Sequence, residues 1–292
     1  MSTMHTSGLA GRSALDIVDA QLHMSLALGA DEAIVAMDAL GIAGVMLDEL
    51  WGRNELDHGI PCIEFGDGAY RPLSPYAQAA AIRYPDRFSF LQRITRRDPQ
   101  LAQWIPLLAT LPGCRSLRIV MHDPKEREIF ATGGYDTLLG LARAHALPLS
   151  VLALDSGALL ASAALRFPDL NFIIDHCGWV KTTAQWDEVL ALARQPNCWL
   201  KWSHANRAFR NFPEAPQATQ REFTRALQAF GPERVLWAAD VSHEESKASW
   251  RDLLAFVVDN PALSEGDRQW VLGRAARRVF RWPAPAAKET TA

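Results

Sequence analysis

The sequence predicts a (β/α)8 barrel (TIM barrel), in which eight parallel strands alternate with helices. Short apolar segments of strand composition alternate with amphipathic helical segments eight times along the 292 residues. Each parallel strand needs a crossover helix, and eight strands close the sheet. A doubly wound open sheet is the alternative. Against it, no glycine-rich phosphate loop follows any predicted strand, and the Gly133-Gly134 cluster has the wrong spacing for dinucleotide binding.

The predicted strands are short runs of buried composition. The first reads IVDAQLHM, the sixth contains LNFIID and the eighth contains RVLWAA. Continuous apolar runs of this kind are typical of strands that are covered on both faces, as in a parallel barrel. In chain order the predicted strands are 16–23, 43–48, 88–94, 115–121, 148–154, 170–176, 198–203 and 234–240.

The segments between these strands carry apolar residues at helical spacing. They are of ordinary helix length, and each one connects two predicted parallel strands. A further helix over 264–279 closes the chain before Pro283, which cannot continue a helix. The connecting helices are predicted near 31–41, 75–84, 98–111, 134–146, 156–167, 182–194, 217–231 and 247–258.

Composition excludes several classes of function. The chain is 49% hydrophobic with a net charge of −3, so no basic field attracts nucleic acid or an anionic membrane. No apolar run approaches the length of a membrane span, and residues 1–12 are too polar for a signal peptide. The four cysteines show no C-x-x-C spacing, which argues against a zinc knuckle or a disulfide framework. We therefore expect a cytoplasmic protein with a small-molecule partner, and homo-oligomerisation stays open.

A single domain over 16–282 accounts for the repeated strand-helix units, with a tail at 1–15 and a disordered tail at 283–292. The connection over 51–75 is too long for a routine turn between strand and helix. On a barrel it leaves the carboxyl end of the second strand, which is the catalytic face. The sequence predicts a lid or substrate loop there, with a plain surface excursion as an equal alternative.

Ionisable residues follow nearly every predicted strand. Such groups interrupt an apolar layer and need partners, so their repeated occurrence at one end of a barrel indicates a site. Any one of them is explained by capping or solvation, but the whole set is not. In strand order they are Gln21 and His23; Asp48 and Glu49; Arg93; Arg118 and His122; Asp155; Asp175 and His176; Lys201, Ser203 and His204; and Asp240, Ser242 and His243.

The first strand ends in Gln21-Leu22-His23. Alternate residues of a strand point the same way, so Gln21 and His23 are predicted to face the mouth of the barrel together. A histidine pair at this spacing would supply half of a metal site. The neutral amide oxygen of a glutamine is a weaker ligand for an ion such as zinc.

Four segments and the closing helix resemble the amidohydrolase-related family, a branch of the amidohydrolase superfamily that includes lactonases, decarboxylases and pyrone-dicarboxylate hydrolases. The similarity runs from about residue 16 to 282. The combination of Asp-His-x-Gly at 175–178 with Asp240 is moderately specific. The matching segments are 17–24, 174–178, 199–203, 231–240 and 273–280.

The resemblance implies that His23, His176 and Asp240 occupy the family's catalytic positions, at the ends of strands 1, 6 and 8. Two positions depart from the family: Gln21 replaces the first histidine of the strand 1 pair, and Leu152 stands where a strand 5 histidine is expected. Catalytic zinc usually has three good protein ligands, so the loss of two predicts that no metal is required. The fallback is one divalent zinc or manganese ion near His23 and Asp240.

Metal-independent members of the family hydrolyse activated lactones, and the resemblance implies similar roles here. Asp240 is the predicted general base, because neighbouring histidines and cations can hold its proton balance near the pH of the reaction. His176 or His23 is predicted to polarise the substrate carbonyl. Arg118 and Lys201 are predicted to bind a substrate carboxylate, with pairing of Lys201 to a protein carboxylate as the alternative.

Other predicted substrate contacts come from residues at or after strand ends. Trp51 and Trp179 follow strands 2 and 6 and can form an aromatic wall for a planar or cyclic substrate. Gln21, Ser203 and His243 complete the predicted binding set.

The leading functional hypothesis is a hydrolase of a small, acidic cyclic ester that works without a metal. A metal-dependent, non-oxidative decarboxylase of an aromatic or dienoic acid is the second hypothesis, and the weakened ligand set counts against it. A barrel that has lost catalysis and only binds ligands is the third. The sequence does not identify the substrate.

Overall fold

Eight parallel strands form the central sheet and confirm the predicted (β/α)8 barrel. The computed structural model of the chain describes residues 15–24, 29–50, 61–154, 156–243 and 248–284. The strands follow one another around the sheet in sequence order, and each pairs in parallel with the next. The barrel strands are β1 Ile17–Met24, β2 Ile42–Glu49, β5 Phe88–Arg93, β6 Cys114–Met121, β7 Leu149–Ala153, β8 Phe172–Ile174, β9 Cys198–Trp202 and β10 Val235–Trp237.

Each predicted helical segment contains a helix, and the short helices Pro124–Ala131 and Ala205–Ala208 were not predicted. Three helices carry a capping box, in which a Thr or Ser side chain and an N3 side chain satisfy each other's backbone N–H groups. The predicted closing helix consists of Glu265–Gln269, a π-helical turn over Trp270–Arg274, and Ala275–Val279. The helices are α1 Ala30–Leu40, α2 Pro75–Arg83, α3 Leu101–Thr110, α4 Pro124–Ala131, α5 Asp136–Ala144, α6 Ser156–Arg166, α7 Thr183–Ala191, α8 Ala205–Ala208, α9 Ala215–Phe230, α10 Trp250–Val258, α11 Glu265–Gln269 and α12 Ala275–Val279.

The apolar core has two parts. A large outer layer fills the space between the strands and the helices. A smaller cluster fills the interior of the barrel at the amino-terminal ends of the strands, and α12 and Trp282 pack against it. Gly273 permits this closure, because a Cβ there would overlap the carbonyl oxygen of Asp16. The apolar floor leaves the polar residues to the opposite, carboxyl end of the barrel.

A β-bulge in β1 aims the first site residues. The register with β2 advances by three residues between Asp19 and Leu22 while β2 advances by two, from Val45 to Leu47. One extra residue in a strand changes which face the following side chains occupy. Val18 and Ala20 therefore pack in the floor of the barrel, and Gln21 still reaches the interior above them.

The barrel closes between β1 and the end of β10 through a few specific bonds. The backbone N–H of Asp240 donates to the carbonyl oxygen of Gln21 at 3.0 Å. The Asp19 carboxylate accepts from the N–H groups of Ala239 and Gln21, both at 3.0 Å, and from Trp250 Nε1 at 2.7 Å. These bonds fix Asp240 relative to the residues of β1, so the closure of the barrel also positions the site.

The predicted insertion over 51–75 includes an antiparallel hairpin that the sequence analysis does not predict. Strands β3 Cys62–Gly66 and β4 Ala69–Pro72 are joined by the turn Gly66-Asp67-Gly68, and both glycines have positive φ. The Arg71 guanidinium holds the hairpin to Asp98 through two bonds of 2.6 and 2.9 Å. Residues 51–60 lie outside the described part of the chain, and the role of the insertion as a lid stays a prediction.

None of the described helices combines the length and the hydropathy that crossing a bilayer requires.

Candidate active site

The carboxyl group of Asp240 lies among three histidines at the carboxyl end of the barrel. Its Oδ1 is 3.2 Å from Nε2 of His23, and its Oδ2 is 3.0 Å from Nε2 of His204 and 3.6 Å from Nε2 of His176. Asp240 has a φ of 47°, a left-handed conformation that costs roughly 1–2 kcal/mol for a residue other than glycine. Strain of this kind clusters at functional sites, where the surrounding structure enforces it.

The protonation state of His176 follows from its two neighbours. Nη2 of Arg118 lies 3.2 Å from Nε2 of His176, and because a guanidinium has only donors, Nε2 must accept this bond. The ring proton is therefore on Nδ1, which donates to Oγ of Ser203 at 2.8 Å. Burial, and next the neighbouring His204, lower the pKa of His176 well below its ordinary value. His176 is thus a neutral imidazole in the folded protein at pH 7.

His23 bridges two carboxylates. Its Nδ1 is 3.4 Å from Oδ2 of Asp48, and its Nε2 is 3.2 Å from Oδ1 of Asp240. Its backbone N–H donates to Oγ of Ser242 at 3.0 Å, which ties β1 to the segment after β10. Each ring nitrogen of His23 therefore lies within 3.5 Å of a carboxylate oxygen.

His204 is a site residue to which the sequence analysis assigns no role. It follows Ser203 at the end of β9, has a φ of 50°, and holds its ring edge-on to that of His176 at 4.7 Å. The indole of Trp179 packs against the His204 ring, with the ring centroids 5.6 Å apart. The sequence signal was its position directly after the seventh strand, among the ionisable strand-end residues.

A network of buried ion pairs lies beneath the histidines. Asp48 accepts two bonds from Arg93, at 2.8 and 2.7 Å, and is contacted by Nη1 of Arg118. Asp175 accepts from Nε of Arg118 at 2.7 Å, and Nζ of Lys201 lies 2.7 Å from its other oxygen. Burial alone would raise the carboxyl pKa values, but the cations outweigh it. They lower the pKa of Asp175 to about 2 and that of Asp48 well below its usual range.

This network bears on the predicted roles of Arg118 and Lys201. Both side chains are fully buried and both pair with protein carboxylates. The pairing of Lys201 with Asp175 is the alternative that the sequence left open. Direct contact of Arg118 with a substrate carboxylate stays a prediction, since this residue also lines a cavity.

Gln21 is fully buried and links the ammonium of Lys201 to the histidines. Its Oε1 accepts from Nζ of Lys201 at 2.7 Å, and its Nε2 lies 3.4 Å from both Nε2 of His23 and Oδ2 of Asp48. The amide orientation is fixed by the lysine, because an ammonium group can only donate and must face the oxygen. The side of Gln21 that faces His23 is therefore a donor.

A divalent ion at residues 21, 23 and 240 does not fit this arrangement. The amide oxygen of Gln21 is engaged by Lys201, and the amide nitrogen has no lone pair to offer a metal. A divalent ion about 4 Å from a buried ammonium would also be repelled by roughly 8 kcal/mol at an effective dielectric constant of about 20. The Leu152 side chain, buried on β7, supplies no replacement ligand.

A second set of possible ligands exists nearby. Atoms of His176, His204 and Asp240 lie within 4.8 Å of one another, and all three residues are buried. The Nε2 atom of His176 already accepts from the guanidinium of Arg118, so an ion bound there would displace this bond and lie beside a fixed positive charge. This donor set is therefore also a poor match for a divalent cation.

Several cavities lie near the cluster. A small one of about 80 Å³ is lined by Trp179, His204 and Arg207, and two others are larger. One, of about 230 Å³, lies between the ends of β9 and β10 and helix α10, with His204 in its wall. The other, of about 250 Å³, lies over the ends of β5 and β6 beside the hairpin. It meets the site through Arg93 and Arg118, and its lining contains neither Asp240 nor the three histidines around it. Its polar lining consists of Tyr70, Arg93, Thr95, Arg97, Arg118, His122, Asp123, Glu126 and Tyr135.

The remaining predicted substrate contacts have different outcomes. Trp179 lies in the site, with its ring 5.3 Å from that of His176 and under the guanidinium of Arg207 at 4.3 Å. Ser203 is bonded to His176, so it orients the catalytic candidate. Trp51 and the side chain of His243 lie outside the described part of the structure, and their roles stay predictions.

The ionisation of Asp240 differs from the sequence-based expectation. Burial opposes ionisation, but interactions with His23 and His204 outweigh it and lower the pKa of Asp240 well below its usual range. The carboxyl group is therefore fully ionised at neutral pH, and its pKa does not lie near the pH of the reaction as the sequence predicted. It can accept a proton without first losing one.

The neutral state of His176 predicts a pH-dependent stability. Below about pH 6.5 the unfolded histidine binds a proton and the folded one does not, so this residue's contribution is present above that pH and lost as pH falls. The contribution of His176 alone should fall by about 2 kcal/mol of unfolding free energy when the pH is lowered from 7 to 5. Asp19 contributes with the opposite sign, because burial raises its pKa to about 7.

Comparison of the wild type with a His176→Asn variant isolates the contribution of His176 to the free energy of unfolding, since Asp19 is present in both proteins. Urea unfolding at intervals between pH 5 and 7 measures it. The difference in unfolding free energy between the two proteins should shrink as the pH falls. A difference that is constant across this range would contradict the neutral assignment of His176.

Comparison with protein families identifies the class. A family model described as amidohydrolase matches residues 69–282, and the chain belongs to this family. The match confirms the resemblance on which the catalytic positions were predicted. A search of curated proteins finds no significant match.

Solved structures of similar fold include hydrolases and decarboxylases. An amidohydrolase from Burkholderia multivorans with bound zinc is 18% identical, with a TM-score of 0.69, over 92% of this chain and 100% of that one. A probable 2-pyrone-4,6-dicarboxylic acid hydrolase from Acinetobacter baumannii with bound citric acid is 14% identical, with a TM-score of 0.66, over 91% and 100%. A dihydroxybenzoic acid decarboxylase from Polaromonas with bound manganese and an inhibitor is 14% identical, with a TM-score of 0.62, over 91% and 97%. At these identities the likeness shows the fold alone.

Proposed function

We propose that this protein hydrolyses a small, carboxylate-bearing cyclic ester by acid-base chemistry that needs no metal ion. The observation that carries the proposal is the ionised carboxylate of Asp240, held among His23, His176 and His204. An ionised carboxylate at the mouth of a barrel is suited to take a proton from water. The proposed role of His23 is to donate to the developing oxyanion.

The proposed reaction conserves its atoms and protons. Asp240 accepts a proton from water while the water oxygen forms a bond to the lactone carbonyl carbon. The negative charge that develops on the carbonyl oxygen is stabilised by an N–H of His23 and by the guanidinium of Arg118. When the ring C–O bond breaks, the leaving oxygen takes the proton from Asp240, and the product is a ring-opened hydroxy acid. His176 keeps its proton on Nδ1 and holds the Arg118 guanidinium in place.

The substrate class is proposed from the cavity over β5 and β6. At about 250 Å³ it suits a small molecule, and its wall carries three arginines against two carboxylates, one of which, Glu126, is paired with Arg96. The arginines are Arg93, Arg97 and Arg118. A guanidinium binds a carboxylate through two parallel hydrogen bonds. The phenols of Tyr70 and Tyr135 add partly buried ring surface beside these charges. An acidic lactone matches both features, and the hydrolase from Acinetobacter supports the choice as an example within the same fold.

The second candidate is a metal-dependent decarboxylase. The cluster of His176, His204 and Asp240 favours it, as does the manganese-bound decarboxylase among the similar structures. Two features count against it: Arg118 donates to the same nitrogen of His176 that would bind the ion, and Lys201 engages Gln21.

A panel of substrates separates these candidates. Purified protein should convert carboxylated lactones to their ring-opened acids, detected by mass spectrometry, and should release no carbon dioxide from hydroxybenzoic acids. Lactones of the same ring without the carboxylate should react more slowly. Carbon dioxide release would favour the decarboxylase, and thermal stabilisation by ligands without turnover would favour a binding protein.

A further inference from the structure

The ammonium group of Lys201 is an unusual feature of this site. Lys201 is fully buried on β9, and its Nζ lies 2.7 Å from Oε1 of Gln21 and 2.7 Å from Oδ1 of Asp175. A buried lysine keeps its charge only where partners compensate for lost hydration. One carboxylate and one amide oxygen provide that compensation, so the chain itself places an ammonium group in the site.

The location of this charge matters for metal binding. Gln21 occupies the first of the positions from which the family resemblance places ligands for an ion, and Lys201 takes the only oxygen that its side chain offers. Arg118 adds a second cation, because it contacts Asp175, Asp48 and His176. Within the described residues, Asp48 and Asp175 are each bound to cations and cannot also neutralise an added ion.

We propose that Lys201 is the resident cation of this site and that it excludes a divalent ion from residues 21, 23 and 240. Gln21 is the hydrogen-bond partner of Lys201, because its Oε1 accepts from the ammonium group. The N–H groups on its Nε2 then face Asp48 and His23. The glutamine in place of the strand 1 histidine and the buried lysine thus depend on each other, because the lysine needs the amide oxygen as an acceptor. The inference rests on the proposed metal-independent function, but its readout is metal affinity, so the two can fail separately.

The test rebuilds the metal ligands with and without the lysine. Gln21→His and Leu152→His are combined, and Lys201 is either kept or replaced by Met or Arg. Zinc affinity is measured by competition with a chromophoric chelator, and cobalt(II) absorption reports the coordination geometry. The Lys201→Met protein should bind zinc at least 100-fold more tightly than the protein that keeps Lys201. The Lys201→Arg protein, which keeps the charge, should remain weak.

Two results would overturn the proposal. One is equal zinc affinity with Lys, Arg and Met at position 201, which would show that the charge does not control binding. The other is stoichiometric zinc in the unaltered chain, with Lys201 in place. If the Lys201→Met protein fails to fold, a further change of Asp175→Asn removes both members of the pair, and the same 100-fold gain is expected over the protein that keeps both.

Discussion

Replacing Asp240 with Asn should lower turnover of a lactone substrate by about 10²–10⁴-fold, the usual contribution of a positioned general base. The amide keeps the shape of the side chain but cannot take a proton from water. Because the change falls on a transition-state contribution, kcat should fall while binding of an acidic ligand persists. Steady-state kinetics, together with ligand-induced thermal shifts, would measure the two effects separately.

The control for this variant is Asp86→Asn, which makes the same chemical change at an exposed residue remote from the site. It should retain full activity and the melting temperature of the wild type. Near-normal turnover in Asp240→Asn would contradict the assignment of this carboxylate as the base. In that case His176 or His204 would have to be tested in that role.

Replacing Arg118 with Leu should lower the free energy of unfolding by about 3–5 kcal/mol, because removing one member of a buried ion pair leaves the other uncompensated. Arg118 contacts two buried carboxylates, Asp48 and Asp175, so both are affected. Each carboxylate can recover part of the loss by taking up a proton. The deficit should therefore be largest at pH 7 and smaller near pH 4–5, which urea unfolding at several pH values would measure.

Arg96→Leu is the matched control, since Arg96 pairs with Glu126 through two bonds of 2.8 Å but both side chains are about one quarter exposed. Exposed pairs contribute roughly 0–1 kcal/mol. A loss in Arg118→Leu no larger than in this control would show that the network contributes little to stability.

The architecture was predictable because its signal is local. Each buried parallel strand needs a continuous apolar run, and each crossover needs a helix of adequate length, so the eight repeats identified the barrel. The hairpin over residues 62–72 was not predicted, although its Gly66-Asp67-Gly68 turn is visible in the sequence. Its strands are short, β3 is largely exposed and β4 is mostly half-buried, so they lack the apolar run that marks the barrel strands.

Part of the site was also predictable. Parallel strands bring their carboxyl ends together, and so His23, His176 and Asp240 were expected to meet, as they do in the structure. What the sequence could not reveal is which charges pair. Lys201 and Asp175 are 26 positions apart in the chain, and their contact depends on the radius of the barrel and on the rotamers of the neighbouring strands.

The bulge in β1 and the role of His204 were likewise hidden. A bulge is a one-residue difference between two paired strands, and no residue in Asp19–Leu22 signals it. His204 reaches Asp240 because its backbone adopts a positive φ just after β9. The presence of a histidine at this position in the sequence does not predict that conformation. The contact of His204 with Asp240 was therefore not predictable from the sequence.

In the proposed reaction Asp240 acts without a divalent ion. Turnover of a carboxylated lactone, measured together with the metal content of the same samples, tests this. Protein would be prepared with chelator and then loaded with zinc or manganese, and the metal per chain would be determined by mass spectrometry. We predict that kcat stays constant from metal-depleted to metal-loaded protein. A kcat that rises in proportion to bound metal and vanishes in the depleted sample would contradict the account.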